Sequence, residues 1–157
     1  MKRVIALLCV LFLGQAAALA QEVVRPFEPD SMNRIVAGHK GKPLVVMVWS
    51  LDCDYCEASF RALSEARKKH GLAVVTVATD RVADEEAVGL IRKKLAGAGL
   101  TAETWAFAGA PEARLRYAID PKWRGELPRS YWFDAKGGVK AHSGVVNAEA
   151  VDRLVSK

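Results

Sequence analysis

Leu44-Val45-Val46-Met47-Val48-Trp49-Ser50-Leu51-Asp52-Cys53-Asp54-Tyr55-Cys56 is the stretch on which the fold of this chain turns. Leu44 to Trp49 is an unbroken apolar run opened by Pro43, the pattern of a central strand covered on both faces. From Asp54 to about Lys69 the periodicity becomes helical. Tyr55, Ala58, Ala62, Leu63 and Ala66 share one side, Arg61, Glu65, Arg67 and Lys68 lie away from it, and Gly71 is the stop. Cys53 and Cys56 thus fall where a buried strand hands over to a helix. Cys53 is expected at or near the N-cap, where first-turn N–H groups and the positive helix end favour a thiolate. The i, i+3 spacing brings Cys56 back beside it, within disulfide reach. Cys53 is therefore expected to be the exposed nucleophile and Cys56, one turn inward, the resolving thiol.

Outward from this junction, Val23 to Asp30 carries Pro26 and Pro29 and reads as an extended lead-in, followed by a short helix from Asp30 or Ser31 through Ala37. Leu72 to Thr79 is a second buried strand, Asp84 to Leu95 a helix closed by Gly97 and Gly99, and Thr104 to Ala108 a third strand. Pro111 opens a helical turn through Tyr117, and Asp120 to Leu127 is a loop. Ser130 to Asp134 and Val139 to His142 form a hairpin around Lys136-Gly137-Gly138, and Asn147 caps a last helix to Val155. Strands alternating with helices require right-handed parallel crossovers. The expected fold is α/β: a central mixed sheet, with a parallel βαβ half and a C-terminal antiparallel hairpin, flanked by helices on both faces.

Length and composition agree with one domain. The chain has 157 residues, 51% hydrophobic and 26% charged, enough apolar content to offset the ordering entropy of one core. The net charge of +5 is spread without a basic block, so nucleic acid is not an expected partner. Lys2 and Arg3, the apolar run Val4 to Leu13 and the small-x-small Ala18-Leu19-Ala20 form the three parts of a cleaved leader. Residues 1–20 are accordingly expected to be a signal peptide and 21–157 a single domain delivered to an oxidising compartment, most simply a bacterial periplasm. Cleavage takes Cys9 with it and leaves Cys53 and Cys56 as each other's only intramolecular partner.

Two neighbouring thiols admit several chemistries. A structural bridge would close so short a loop that it restrains little unfolded-chain entropy. Zinc needs four ligands, and His39, His70 and His142 lack motif spacing. Cu(I) is a stronger alternative, because two soft thiolates and one imidazole suffice; Cys53, Cys56 and His142 would be its ligands. Redox exchange needs no metal, flavin or nucleotide.

Trp49 to Cys56, with Leu127-Pro128-Arg129-Ser130-Tyr131-Trp132-Phe133-Asp134 and the Gly137-Gly138 turn, resembles the thioredoxin-like superfamily, in particular exported TlpA/ResA-type thiol-disulfide oxidoreductases. The similarity runs from about Ser31 to the end. It implies a thioredoxin fold and a strand leading through Trp49 into the dithiol. It further implies a cis proline at Pro128 facing the sulfurs, and a docking edge at Leu127 whose backbone receives an extended client segment. The implied partners are exported proteins with disulfides or thiols and a membrane-bound dithiol electron donor.

Four departures bear on direction and specificity. Asp52 stands where the family has Trp, Tyr55 where it has Pro, and Arg129 and Ser130 replace the polar pair after the cis proline. Met47 occupies the place of thioredoxin's buried acid. At an effective dielectric of ~40, a carboxylate ~7 Å from the Cys53 sulfur costs the thiolate roughly 1 kcal/mol. The helix end returns only ~0.3–1 kcal/mol. Asp52 and Asp54 are therefore expected to hold the thiolate back and favour a reductant over a strong oxidant, with Arg129 as the cation that offsets one of them. His142 reads as a surface histidine after the hairpin, and Lys122, Trp123 and Arg124 as residues shaping or packing the loop before Pro128.

Overall fold

The computed structural model describes residues 23–155; the expected signal peptide, with Cys9, lies outside the described residues. Eleven elements follow one another among the described residues. They are β1 (Val24–Phe27), α1 (Ser31–Gly38), β2 (Leu44–Trp49), α2 (Cys56–His70), β3 (Ala73–Arg81), α3 (Glu85–Gly97), β4 (Glu103–Phe107), α4 (Glu112–Ile119), β5 (Arg129–Phe133), β6 (Val139–Ser143) and α5 (Ala148–Val155). They build a six-stranded sheet in the order β1-β4-β3-β2-β5-β6. The first four of these strands run parallel; β5 joins β2 antiparallel and β6 joins β5 antiparallel.

Every side chain of β2 is buried, as an apolar run in a central strand requires. Its pleat divides the core in two. Val45, Met47 and Trp49 enter one cluster with Phe60 and Leu63 of α2, Ile91 and Leu95 of α3 and Val151 of α5. Leu44, Val46 and Val48 enter the other with Ile35 of α1, Leu115 of α4 and Tyr131 of β5. Fully burying side chains such as Phe60, Leu63 or Ile91 contributes about 1.5–3 kcal/mol each.

Two local expectations are corrected. The lead-in is a sheet strand: β1 pairs with β4 from Val24↔Thr104 to Phe27↔Phe107. Pro26 is tolerated there because β1 is an edge strand, where a missing N–H does least damage. The second concerns α2, which begins at Cys56 rather than Asp54, with Tyr55 as an N-cap that supplies no side-chain hydrogen bond. Its buried side is Cys56, Ser59, Phe60, Leu63, Ser64 and Ala66. Tyr55 is 70% exposed and Ala58 is exposed, so the core-facing stripe is rotated from the one the alanines suggested. Phe60, absent from the expected stripe, sets that rotation by meeting Trp49 edge-on at 4.8 Å between ring centroids.

Elsewhere local chemistry matches the sequence. Gly71 closes α2 at φ 63°, the left-handed region where a Cβ is penalised. Asp84 caps α3 by accepting from the Ala87 N–H, and Asn147 caps α5 by accepting from the Ala150 N–H at 2.8 Å.

Candidate functional site

The dithiol sits in the short connection between β2 and α2. Cys53 and Cys56 are joined as a disulfide with Cα atoms 5.5 Å apart. Two backbone turns shape the segment: the Cys53 N–H donates to the Ser50 carbonyl and the Cys56 N–H to the Cys53 carbonyl, each at 3.2 Å. Cys53 is half-buried and packs against the first core cluster, whereas Cys56 is 1% exposed within it. Cys53 therefore lies three residues ahead of α2 and is not its N-cap. The two sulfurs differ in access, one at the surface and one in the core.

The connection is gripped from below. β3 breaks register with β4 between Ala78 and Arg81, an irregularity that includes Asp80. Asp80 accepts the Leu51 N–H at 3.0 Å, while Lys94 of α3 donates to the Leu51 carbonyl at 2.6 Å. Burial pushes the Asp80 carboxyl up; the Leu51 N–H and the Lys94 ammonium pull it back, the Asp52 charge adds to the rise, and the net displacement is upward. Neither Asp80 nor Lys94 was singled out from sequence. A carboxylate ending an otherwise apolar strand is the signal that marks Asp80.

Met47 is fully buried between Thr76 and Ser130 on its neighbouring strands. Trp49 is also fully buried, and its indole N–H has no hydrogen-bond partner among the described residues. Asp52, Asp54 and Tyr55 are exposed around the sulfurs.

The second arm of the site arrives from β5. Arg129 pairs with Val48, so residues 127 and 128 lie beside the end of β2 from which the cysteine connection departs. The Leu127–Pro128 peptide bond is cis, and the Pro128 carbonyl accepts the Gly144 N–H at 2.8 Å. Pro128 is buried. Leu127 is half-buried against both core clusters, and its own N–H and C=O enter no hydrogen bond among the described residues.

The acids that Arg129 contacts are Asp120 and Glu126, not Asp52 or Asp54. The strand pleat places it with Tyr131 on the second-cluster side of β5, opposite Ser130 and Trp132. There its guanidinium donates to Asp120 Oδ2 at 3.1 Å, Glu126 Oε1 at 3.2 Å, Ser143 Oγ at 2.5 Å and the Tyr131 hydroxyl at 3.2 Å. Burial pushes Asp120 up, but the Lys122 N–H, Arg129 and the Tyr131 hydroxyl together hold it below its ordinary value. Burial likewise works against Glu126, and the Ser143 hydroxyl, the peptide N–H groups and Arg129 bring it below its own. Tyr131 is pushed up to about 12, chiefly by burial, so its phenol stays protonated and donates to Asp120 Oδ2 at 3.2 Å. Asp120, Glu126, Tyr131 and Ser143 are not among the expected site residues; Glu126, three residues before Arg129, and Tyr131, two after it, are the neighbours the sequence displays.

Trp123 is buried and gives its indole N–H to the Glu126 carbonyl at 2.9 Å, which makes it a packing residue of this loop. Lys122 and Arg124 are exposed. His142 pairs with Ser130 across the hairpin and lies 3.3 Å from the Val145 carbonyl through Nε2. Among the described residues no three His, Cys, Asp or Glu side chains gather in a metal-holding group.

A half-exposed and a buried cysteine joined after a central strand, with a cis proline beginning the antiparallel half of a mixed sheet, is the arrangement of a thioredoxin-like fold. No protein-family model matches the sequence, and no curated protein matches it. Solved structures do. A secreted Mycobacterium tuberculosis disulfide oxidoreductase homologous to E. coli DsbE aligns at 20% identity and TM-score 0.55 over 75% of this chain and 86% of that one. A DsbF homologue from Corynebacterium diphtheriae aligns at 17% identity and TM-score 0.59 over 76% and 74%. A thioredoxin-related protein from Neisseria meningitidis serogroup B aligns at 23% identity and TM-score 0.56 over 74% and 84%. The likeness is one of fold: thioredoxin-like.

Proposed function

We propose that this chain is an exported thiol-disulfide oxidoreductase of the TlpA/ResA type, acting on exported protein clients in the reductive direction. The observation that carries the reading is the unequal burial of two bridged cysteines that follow the end of β2 next to which the cis Leu127–Pro128 segment enters β5, the Leu127 backbone having no hydrogen bond among the described residues. A secreted disulfide oxidoreductase among the solved structures of the same fold supports it.

In the reduced chain the Cys53 thiolate attacks one sulfur of a client disulfide; the S–S bond breaks and the client's other sulfur leaves as a thiolate. The Leu127 N–H and C=O receive the extended client backbone, holding its disulfide near Cys53. Cys56, as a thiolate, then attacks the Cys53 sulfur, closing the internal bridge and releasing the second client thiolate. Two electrons pass from the dithiol to the client, and the released thiolates take up the two protons the cysteines lose. A membrane-bound dithiol reopens the bridge by the same exchange in reverse. Asp52 and Asp54, both exposed beside Cys53, oppose its thiolate and so favour the reducing role.

Insulin reduction with a dithiol donor tests the reading. The wild-type chain accelerates it, Cys53→Ala abolishes the acceleration, and Cys56→Ala accumulates a mixed disulfide on Cys53. A chain whose Cys56→Ala variant forms no mixed disulfide is not an exchanger. No observation favours the Cu(I) alternative with Cys53, Cys56 and His142; stoichiometric Cu(I) uptake lost in His142→Ala, without turnover, is the result that revives it.

A further inference from the structure

From the placement of the Arg129 network we infer that Arg129 is a positioning residue for client docking: its guanidinium, bridging Asp120, Glu126 and Ser143, fixes Leu127 in the attitude that receives an extended polypeptide. The inference rests on the exchange function proposed above and assigns a specificity role to residues outside the dithiol.

The network encloses the docking edge in the sequence itself. Glu126 precedes Leu127-Pro128 and Arg129 follows it, and the two are joined at 3.2 Å. Glu126 is held from three further directions. Its carboxylate accepts the Ser143 hydroxyl at 2.7 Å and the Arg124 N–H at 3.2 Å, and its carbonyl accepts the Trp123 indole N–H at 2.9 Å. Beyond Pro128, the Gly144 N–H ties the proline carbonyl to the chain leaving β6. At the far end of the loop Asp120, the C-cap of α4, accepts Arg129 through Oδ2 and the Lys122 N–H through Oδ1. Residues on both sides of Leu127 are thus anchored, while its own N–H and C=O enter no hydrogen bond among the described residues.

Arg129 suits this work because a forked guanidinium serves several acceptors at once, as a single ammonium does not. Its side chain is only 14% exposed, so it is no free cation offered to a client. It also lies on the face of β5 opposite the one that packs with Cys56. Its loss should therefore act on docking and leave the sulfur chemistry in place. Pre-ordering of a binding edge lowers the entropy cost of binding, an effect read in KM.

The experiment compares two oxidised substrates on the full mature chain: insulin, which docks as polypeptide, and an aromatic small-molecule disulfide, which has no backbone to dock. Arg129→Gln is expected to raise KM for insulin about tenfold with kcat changed less than about twofold, while the small-molecule exchange rate stays at wild type. Arg129→Lys is expected to recover little, since it lacks the fork. If Arg129→Gln does not fold by circular dichroism, Glu126→Gln keeps the Arg129–Asp120 pair and is expected to show the same split at about threefold. Equal loss on both substrates, or loss on neither, overturns the inference. A wild-type chain active on the small disulfide but inert toward insulin removes the docking edge and the inference with it. A wild-type chain inert toward both removes the exchange function itself.

Discussion

On the proposed exchange function, the thiolate of Cys53 is expected to respond to charges within a few residues of it. Asp52 is exposed, and its charge is felt as far as Asp80, whose carboxyl burial has already pushed up. One carboxylate at ~7 Å and an effective dielectric of ~40 opposes the thiolate by about 1 kcal/mol, or about 0.7 of a pH unit. Asp52→Asn is therefore expected to lower the midpoint of Cys53 alkylation against pH by about that amount in dilute buffer. In ~1 M salt, where the screening length is ~3 Å, the difference should largely vanish. An unchanged midpoint at low salt would show Asp52 to be a solvated bystander. The sequence displayed this pair of aspartates, and it displayed both cysteines and Pro128. It could not display the partners of Arg129, because which side of a strand a residue occupies follows from the register of β5 on β2. Nor could it display Asp80 and Lys94, which reach Leu51 from separate elements only after β3 and α3 have packed.

Among the elements, α2 carries the buried cysteine and has the most demanding ends. Gly71 at φ 63° is the left-handed residue that closes it. Gly71→Ala meets no neighbouring atom within 4 Å, so its cost is conformational alone, about 1–2 kcal/mol, measurable as a lower denaturant midpoint with an unchanged m-value. At the other end the helix begins later than its composition suggests. Helical spacing counted from Asp54 puts Tyr55 and Ala58 on the core side, whereas Phe60 and Trp49 decide the rotation once they meet. Strand existence was legible from apolar runs. The edge strand β1 was not, because two prolines masked a segment whose hydrogen-bonding need is one-sided.

At the scale of the molecule, stability should track the acids around Arg129. Asp120 and Glu126 lie below their ordinary values of 3.8 and 4.5, so the unfolded chain binds the more protons as the pH falls. Their contribution is whole above those values and is lost as the pH drops through the lowered folded ones. The double variant Asp120→Asn, Glu126→Gln is thus expected to melt below wild type at neutral pH, with the gap closing as the pH falls beneath 3.8. A gap of constant size would mean that the carboxylates contribute shape and not charge. Export belongs to the same scale: protein recovered from a bacterial periplasm should have a mass that begins at Gln21. The outline of this architecture could be read from alternating patterns alone; the seam between its parallel and antiparallel halves could not. That seam is the β2–β5 ladder, and it has a developmental meaning. On the exported reading, a chain that crosses the membrane N-terminus first brings its cysteines into the oxidising compartment ahead of β5, and they can be bridged as soon as their own short segment is free. The surface that would welcome a client is completed only when the late-synthesised β5 finds its place beside β2. A nascent or truncated chain could therefore become bridged while still having nowhere to seat a guest, so competence to react and competence to choose are acquired at different moments of the molecule's life.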